Sequence, residues 1–379
     1  MLTPPHPFTG RIHTEVRAGM AMEPGEARAE RLERLVARAE ADGGPYALID
    51  TRVAYLYARC HPFGRPEDAL AALAPCLELY RAAPERFGEW HRDRFWESFR
   101  RLTLTMLVGP GQRASWLRAV VDDLRFCRRP GHRTDMEDVH LAELLLEWRV
   151  GNVAAAEEAI RLILACGPRE GNQWGRVGAL AGFLADLGRD AEAIESLEPA
   201  LTGSVPVRED GDPARFADHL LLPYLRTGRA EEAGALHART WRGRLTGFRL
   251  ASHLEFCART GNEERGREIL HRHLEPLADD LGSILRIREY AAAALLCRRL
   301  AESGRWDDPW TWPEDNGTAG GDIGGDGETW TYAELHEEFR DDVLSLADHM
   351  ADSDGTACIR ERMGALMDAG PIVAHLPLP

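Results

Sequence analysis

The clearest hydrophobic pattern lies in LLLEWRVGNVAAAEEAIRLILACGP, residues 144–168. Gly151 stops one apolar helix and Asn152 opens a turn. Ala156, Ile160 and Ile163 then recur at helical spacing as far as Pro168. The sequence of helix, glycine turn and helix predicts a helical hairpin. Upstream, residues 25–42 predict a charged helix with Leu32, Leu35 and Val36 on one stripe, ending at Gly43 and Gly44. From Pro45 onward, apolar helices alternate with short glycine turns. Alternating strand patterns are almost missing, so the predicted fold class is all-α.

The hairpin pattern repeats. Helix-closing glycines fall at Gly64, Gly109, Gly151, Gly188, Gly228, Gly261 and Gly304, at intervals of 33 to 45 residues. Five residues after each of the first six stands a small residue: Ala69, Ala114, Ala156, Ala193, Ala233 and Gly266. Small side chains let two hairpin helices approach. Four residues further on, Leu73, Ile160, Leu197 and Leu270 fit an apolar position, while Arg118 and His237 break it. Recurrence at this period predicts a repeat array rather than separate globular domains.

The helix preceding each turn carries a further pattern. Val177, Leu180, Ala181 and Leu184 precede Gly188; Ala217, Leu220, Leu221 and Tyr224 precede Gly228; Val53, Leu56, Tyr57 and Cys60 precede Gly64. On these residues the chain resembles the tetratricopeptide repeat (TPR) over about 45–304, most clearly at 140–275. Its intervals average 40 residues against that family's 34, and Pro223 lies inside a helix. The resemblance implies a right-handed superhelical solenoid of TPR-like hairpins. The expected organisation is an extended N-terminal arm (1–22), the array (23–304), an acidic Gly/Asp/Trp-rich linker (305–330), and a C-terminal helical cap with an apolar tail (331–379). Thr331 and Glu334 form a capping-box signature for the first cap helix.

The resemblance also implies a groove lined by the first helix of each hairpin. It places Trp148, Arg149, Arg215, Asp218, Arg226, Glu255, Arg259 and Arg298 there, together with Gly175, Gly178 and Gly182. The three glycines leave a bare helical stripe, which either a neighbouring helix or a ligand would cover. The arginines read either as cations complementing helix C-termini or as a ladder for carboxylates and phosphates.

Charge sharpens this picture. The chain of 379 residues carries a net charge of −16, which argues against nucleic acid or an anionic membrane as partner. Residues 306–354 hold a net −14, leaving −2 for the rest. The acidic segment therefore reads either as a solvated cap or as an internal partner that folds back on the arginines. All 46 Lys/Arg positions are arginine. A Walker A loop, a Schiff-base lysine and a Ser–Lys pair are thereby excluded, as is the two-carboxylate clamp of the tetratricopeptide family, which uses lysine.

Candidate chemistry is sparse. Two ExxH pairs, Glu137–His140 and Glu268–His271, have the residue types of a di-iron site but fall in different repeats, so no metal is expected. Neither GxSxG nor HExxH occurs, so no catalytic residues and no cofactor are assigned. Trp306, Trp310, Trp312 and Trp330 bracket the linker, and either pin it to the last hairpin or bind a ligand. The seven cysteines are scattered without CxxC, which suggests a reducing, cytoplasmic setting. No signal peptide and no membrane span are expected. The resulting expectation is an adaptor or scaffold binding a segment of another protein, such as an acidic peptide. A ligand-sensing regulator and an enzyme built on the array are the alternatives.

Overall fold

Four helices end in the same way. Gly151, Gly188, Gly228 and Gly261 all have φ between +65° and +79°. In each case the next residue donates its N–H back over the turn: Asn152 to Glu147 O, Arg189 to Leu184 O, Arg229 to Tyr224 O and Asn262 to Cys257 O, at 2.7–3.0 Å. This closure satisfies carbonyls that a helix C-terminus leaves unpaired, and its left-handed residue favours glycine. The repeated glycines thus fix one turn geometry.

The computed structural model describes residues 11–42, 44–60, 66–129, 131–166, 174–203, 213–243, 245–273, 284–305, 308–310 and 329–378. The described residues are almost wholly helical. The chain divides into two units, residues 1–107 with 115–146 and residues 108–114 with 147–379. Among the described residues no helix is long and apolar enough to cross a membrane.

The first unit is built from α1 (Arg11–Met20), α2 (Glu26–Asp42), α3 (Pro45–Cys60), α4 (Pro66–Ala82), and most of α5 (Glu89–Val108), α6 (Ala114–Phe126) and α7 (Arg133–Val150). Residues 11–20 form a helix where the sequence suggested an extended arm. Val16, Leu32, Leu35 and Ala54 share one apolar cluster, so burial of Val16 gives α1 a reason to fold. A second core is aromatic: Tyr80 stacks on Phe95 at 5.3 Å and meets Phe87 edge-on at 5.0 Å. Asp50, buried at 4% exposure, lies 2.7 Å from His13 Nδ1 and also bonds His91.

The second unit contains α8 (Val153–Ala165), α9 (Trp174–Asp186), α10 (Asp190–Leu201), a 3-10 segment (Pro213–Leu220), α11 (Leu221–Arg226), α12 (Ala230–Thr240), α13 (Phe248–Arg259), α14 (Glu263–His273), α15 (Ile284–Leu300), α16 (Tyr332–Asp354) and α17 (Cys358–Met367). Pro223 sits in the first turn of α11, where its missing N–H leaves no helical bond unmade. That accounts for a 3-10 turn where a continuous α-helix was expected. The helix α9, the 3-10 segment, α13 and α15 are neighbours in that order, and α10, α12 and α14 pack against them as hairpin partners. The helix α16 packs on α15, and α17 packs on both.

All six small residues after the turns are buried. So are Leu73, Ile160, Leu197 and Leu270, and so is His237, which occupies the core position as a polar residue. Gly64 lies outside the described residues. Gly109 follows the end of α5, but Gly111 takes the positive φ there, +78°.

The linker returns as two short strands, β1 (Pro309–Trp310) paired antiparallel with β2 (Trp330–Thr331). Trp310 is buried against His271 and Tyr332, with ring centroids at 5.0 and 6.2 Å. It therefore pins the linker ends to α14 and α16. Trp306 and Trp312, and the glycine-rich residues between them and β2, lie outside the described residues. Thr331 and Glu334 form the expected capping box.

Candidate functional site

One cavity in the second unit has a volume of about 300 Å³. Its walls come from the face made by α9, the 3-10 segment, α13 and α15, and from α17 laid against that face. Six residues anticipated from the sequence line it: Trp148, Gly182, Asp218, Arg226, Glu255 and Arg259. Arg288 of α15 and Arg362, Met363 and Leu366 of α17 complete it.

The arginines are paired within the chain and do not form an open ladder. Arg226 contacts both oxygens of Asp190 and donates to Ala185 O at 3.0 Å. Arg259 pairs with Glu255 at 3.0 Å. Arg298 pairs with Glu302 at 3.1 Å and donates to Ala369 O at 2.6 Å. Arg149 is fully buried and pairs with Asp354 at 2.7 Å, while its Nη1 donates to Gly109 O. Within the described part of the acidic segment, Asp354 is the carboxylate that reaches one of these four arginines. The Arg215 side chain lies outside the described residues.

The glycine stripe provides close packing. A Cβ on Gly178 would lie 2.2 Å from the Phe216 ring, and one on Gly182 would lie 2.6 Å from the His219 ring. His219 in turn stacks on Phe248 at 3.8 Å. Burial and the neighbouring Arg288 lower the His219 pKa to about 4, so the ring is neutral near pH 7. Gly175 stands in α9, and its surroundings lie outside what is described.

Behind the cavity runs a buried polar chain that the hydrophobic pattern does not foreshadow. Asp218 Oδ2 accepts from Arg249 Nε at 2.7 Å. Its Oδ1 lies 3.3 Å from His253 Nε2, without an aligned hydrogen bond. Thr240 donates its hydroxyl to Leu236 O, so His253 Nε2 must carry the hydrogen that faces Thr240 Oγ1. His253 Nδ1 lies 2.8 Å from His237 Nδ1, and His237 Nε2 lies 4.0 Å from Cys257 Sγ. Burial, with His253 and Arg265 nearby, lowers the His237 pKa to about 3; burial also pushes the Cys257 thiol up. Burial alone would raise the Asp218 carboxyl, but the neighbouring His253, Thr240 and Arg249 hold it down at about 2. The chain thus fixes an ionised Asp218 at the cavity wall.

The C-terminal tail lies across the turn after α13. Ile372 N and Leu376 N donate to Arg259 O and Thr260 O at 2.8 and 2.9 Å. Asn262 Nδ2 donates to Leu376 O at 3.0 Å, and Arg259 Nε to Gly370 O at 3.3 Å. Gly261 has no room for a side chain here, since a Cβ would lie 2.1 Å from Ala374 O. Ile372, Val373, Leu376 and Leu378 are only half-buried, and Leu376 and Leu378 rest beside Gly234.

The ExxH pairs fall in different units. His140 bonds Glu143 at 2.7 Å, and Glu268 is held by Arg265 and Arg272. Among the described residues no group of three or more His, Cys, Asp or Glu side chains is placed to hold a metal.

No protein-family model matches this chain, and no curated protein sequence matches it.

Proposed function

We propose that the second unit is a segment-binding module of TPR-like hairpins, and that the chain's own C-terminal tail occupies its binding site. The observation that carries this reading is the mode of tail contact. Arg298, Arg259 and Asn262 donate to the main-chain carbonyls of Ala369, Gly370 and Leu376, and the carbonyls of Arg259 and Thr260 accept tail amides. Main-chain recognition of an extended segment, with apolar side chains set beside the groove, is how peptide-binding surfaces take partners. The tail's half-burial supports its being exchangeable, because weakly buried elements open at low free-energy cost.

The preferred partner is an extended apolar segment containing proline, like the tail PIVAHLPLP. The internal pairing of Arg149, Arg226, Arg259 and Arg298 supports that class over an acidic peptide. Such an arrangement makes the protein an adaptor whose site opens when a partner displaces the tail. A tethered competitor acts at an effective concentration of about the millimolar range, so partners meet a built-in threshold.

The test uses a labelled peptide of residues 368–378 and a chain lacking residues 371–379. Fluorescence anisotropy should show saturable binding to the shortened chain and binding at least tenfold weaker to the full chain. If the shortened chain keeps its helical circular dichroism yet binds no peptide, the proposal fails.

A further inference from the structure

Three polar atoms in the cavity's lining residues are buried and make no aligned hydrogen bond: Arg288 Nε, Trp148 Nε1 and Asp218 Oδ1, the last with His253 Nε2 at 3.3 Å. Buried polar groups are nearly always paired, and leaving one unpaired is costly. One orphan in a lining set is ordinary. Here one acceptor and two donors belong to residues around the same 300 Å³. The rest of the wall is mixed: Leu222, Pro223, Met363 and Leu366 are apolar.

We propose that this cavity binds a free apolar α-amino acid of about leucine size, a site that goes beyond the tail-binding reading. The chemistry of the three orphans sets the class. An indole N–H and a guanidinium N–H call for acceptors, and the two oxygens of an α-carboxylate supply them. A carboxylate oxygen calls for a cationic donor, which an α-ammonium supplies. Asp218 is held ionised by the chain behind it, and Arg288 is anchored by Asp186 at 2.8 Å, so both are positioned before a ligand enters. The apolar wall takes the side chain. At about 30 Å³ per water-sized group, the cavity holds about ten non-hydrogen atoms, matching an amino acid of leucine size.

The site also has a regulatory consequence. Arg362 lies over the Trp148 ring at 4.5 Å and donates to Trp148 O at 2.5 Å, which seats α17 beside the cavity. A ligand touching both α17 and the hairpin face stabilises α17 in its docked position by mass action. The amino acid would therefore report on, and strengthen, closure of the C-terminal segment.

The experiment is calorimetric titration of the full chain with L-leucine, L-leucinamide, which lacks the carboxylate, and 4-methylpentanoate, which lacks the ammonium. L-leucine should bind saturably and raise the thermal midpoint; each analogue should bind at least tenfold more weakly. Two variants complete the test. Trp148→Phe keeps the ring but removes the N–H, and should weaken L-leucine at least tenfold. Ala185→Phe fills the cavity and should abolish binding while leaving peptide binding to the tail-deleted chain intact. Absence of L-leucine binding, equal binding of either analogue, or undiminished binding in either variant would overturn the proposal. None of these outcomes bears on whether the tail can be displaced.

Discussion

Arg149 and Asp354 stand 205 positions apart and form an ion pair at 2.7 Å with side-chain exposures of 0% and 1%. The same guanidinium donates to the carbonyls of Gly109 and Gln112. One side chain thus ties the end of α16 to the turn after α5. Removing one member of a buried pair strands the other charge, which costs about 3–5 kcal/mol. Arg149→Leu and Asp354→Leu should each destabilise by that order in urea unfolding, and the double variant should recover most of the loss. Additive losses would mean that the two charges are not coupled.

Gly178 gives a packing prediction. Because its Cβ position lies 2.2 Å from Phe216, Gly178→Ala should overpack the crossing of α9 and the 3-10 segment by about 1–3 kcal/mol. The cost should largely vanish in a Phe216→Ala background. A cost unchanged by Phe216→Ala would locate the strain elsewhere.

The hairpin register predicts that Ala156→Leu and Ala193→Leu each destabilise, again by about 1–3 kcal/mol. Both alanines are essentially inaccessible, at 1% and 0%. Thermal midpoints equal to that of the parent chain would contradict the register.

Acid should destabilise the second unit well before Asp218 protonates. His237 and His219 have folded pKa values of about 3 and 4, both lowered from 6.5. Between those values and 6.5 the unfolded chain binds more protons, so stability is fully present above pH 6.5 and falls as pH drops. Asp218, at about 2 against 3.8, adds a further loss only below about pH 4. Asp342 works in the opposite sense: burial and the nearby Glu338 and Asp341 raise it to about 6, so its term favours the folded state as pH falls toward 4. A His237→Gln chain should show a shallower decline of thermal midpoint from pH 7 to 4.5. An equal slope would remove His237 as a source of the acid sensitivity.

Much of this fold was legible because its signals are local. A left-handed glycine and the small residue five positions later are dictated within one turn and one helix crossing, and both stand as expected at Gly151, Gly188, Gly228 and Gly261, whereas after α5 the left-handed residue is Gly111 and not Gly109. The lining of the cavity was legible in part. Trp148, Asp218, Arg226, Glu255 and Arg259 follow from the turn register. Arg288 does not, because α15 begins at Ile284, before the stretch that a register counted back from Gly304 covers. Arg362 was hidden for a different reason: α17 reads as a cap, and nothing local says that it lies on the hairpin face. The buried chain from Cys257 to Asp218 was invisible because His237 looked like a failure of the apolar pattern. Only the fold brings His253 to within 2.8 Å of it.

Amide hydrogen exchange tests most directly whether the tail is a ligand of its own chain. The amides of Ile372 and Leu376 donate to Arg259 O and Thr260 O, so they should be protected in the full-length protein. Saturating unlabelled peptide of residues 368–378 should compete for the same acceptors and raise the exchange rates of those two amides at least tenfold. Amides in α13 should stay protected throughout. If Ile372 and Leu376 remain equally protected under saturating peptide, the tail is a fixed part of the fold and the claim is contradicted.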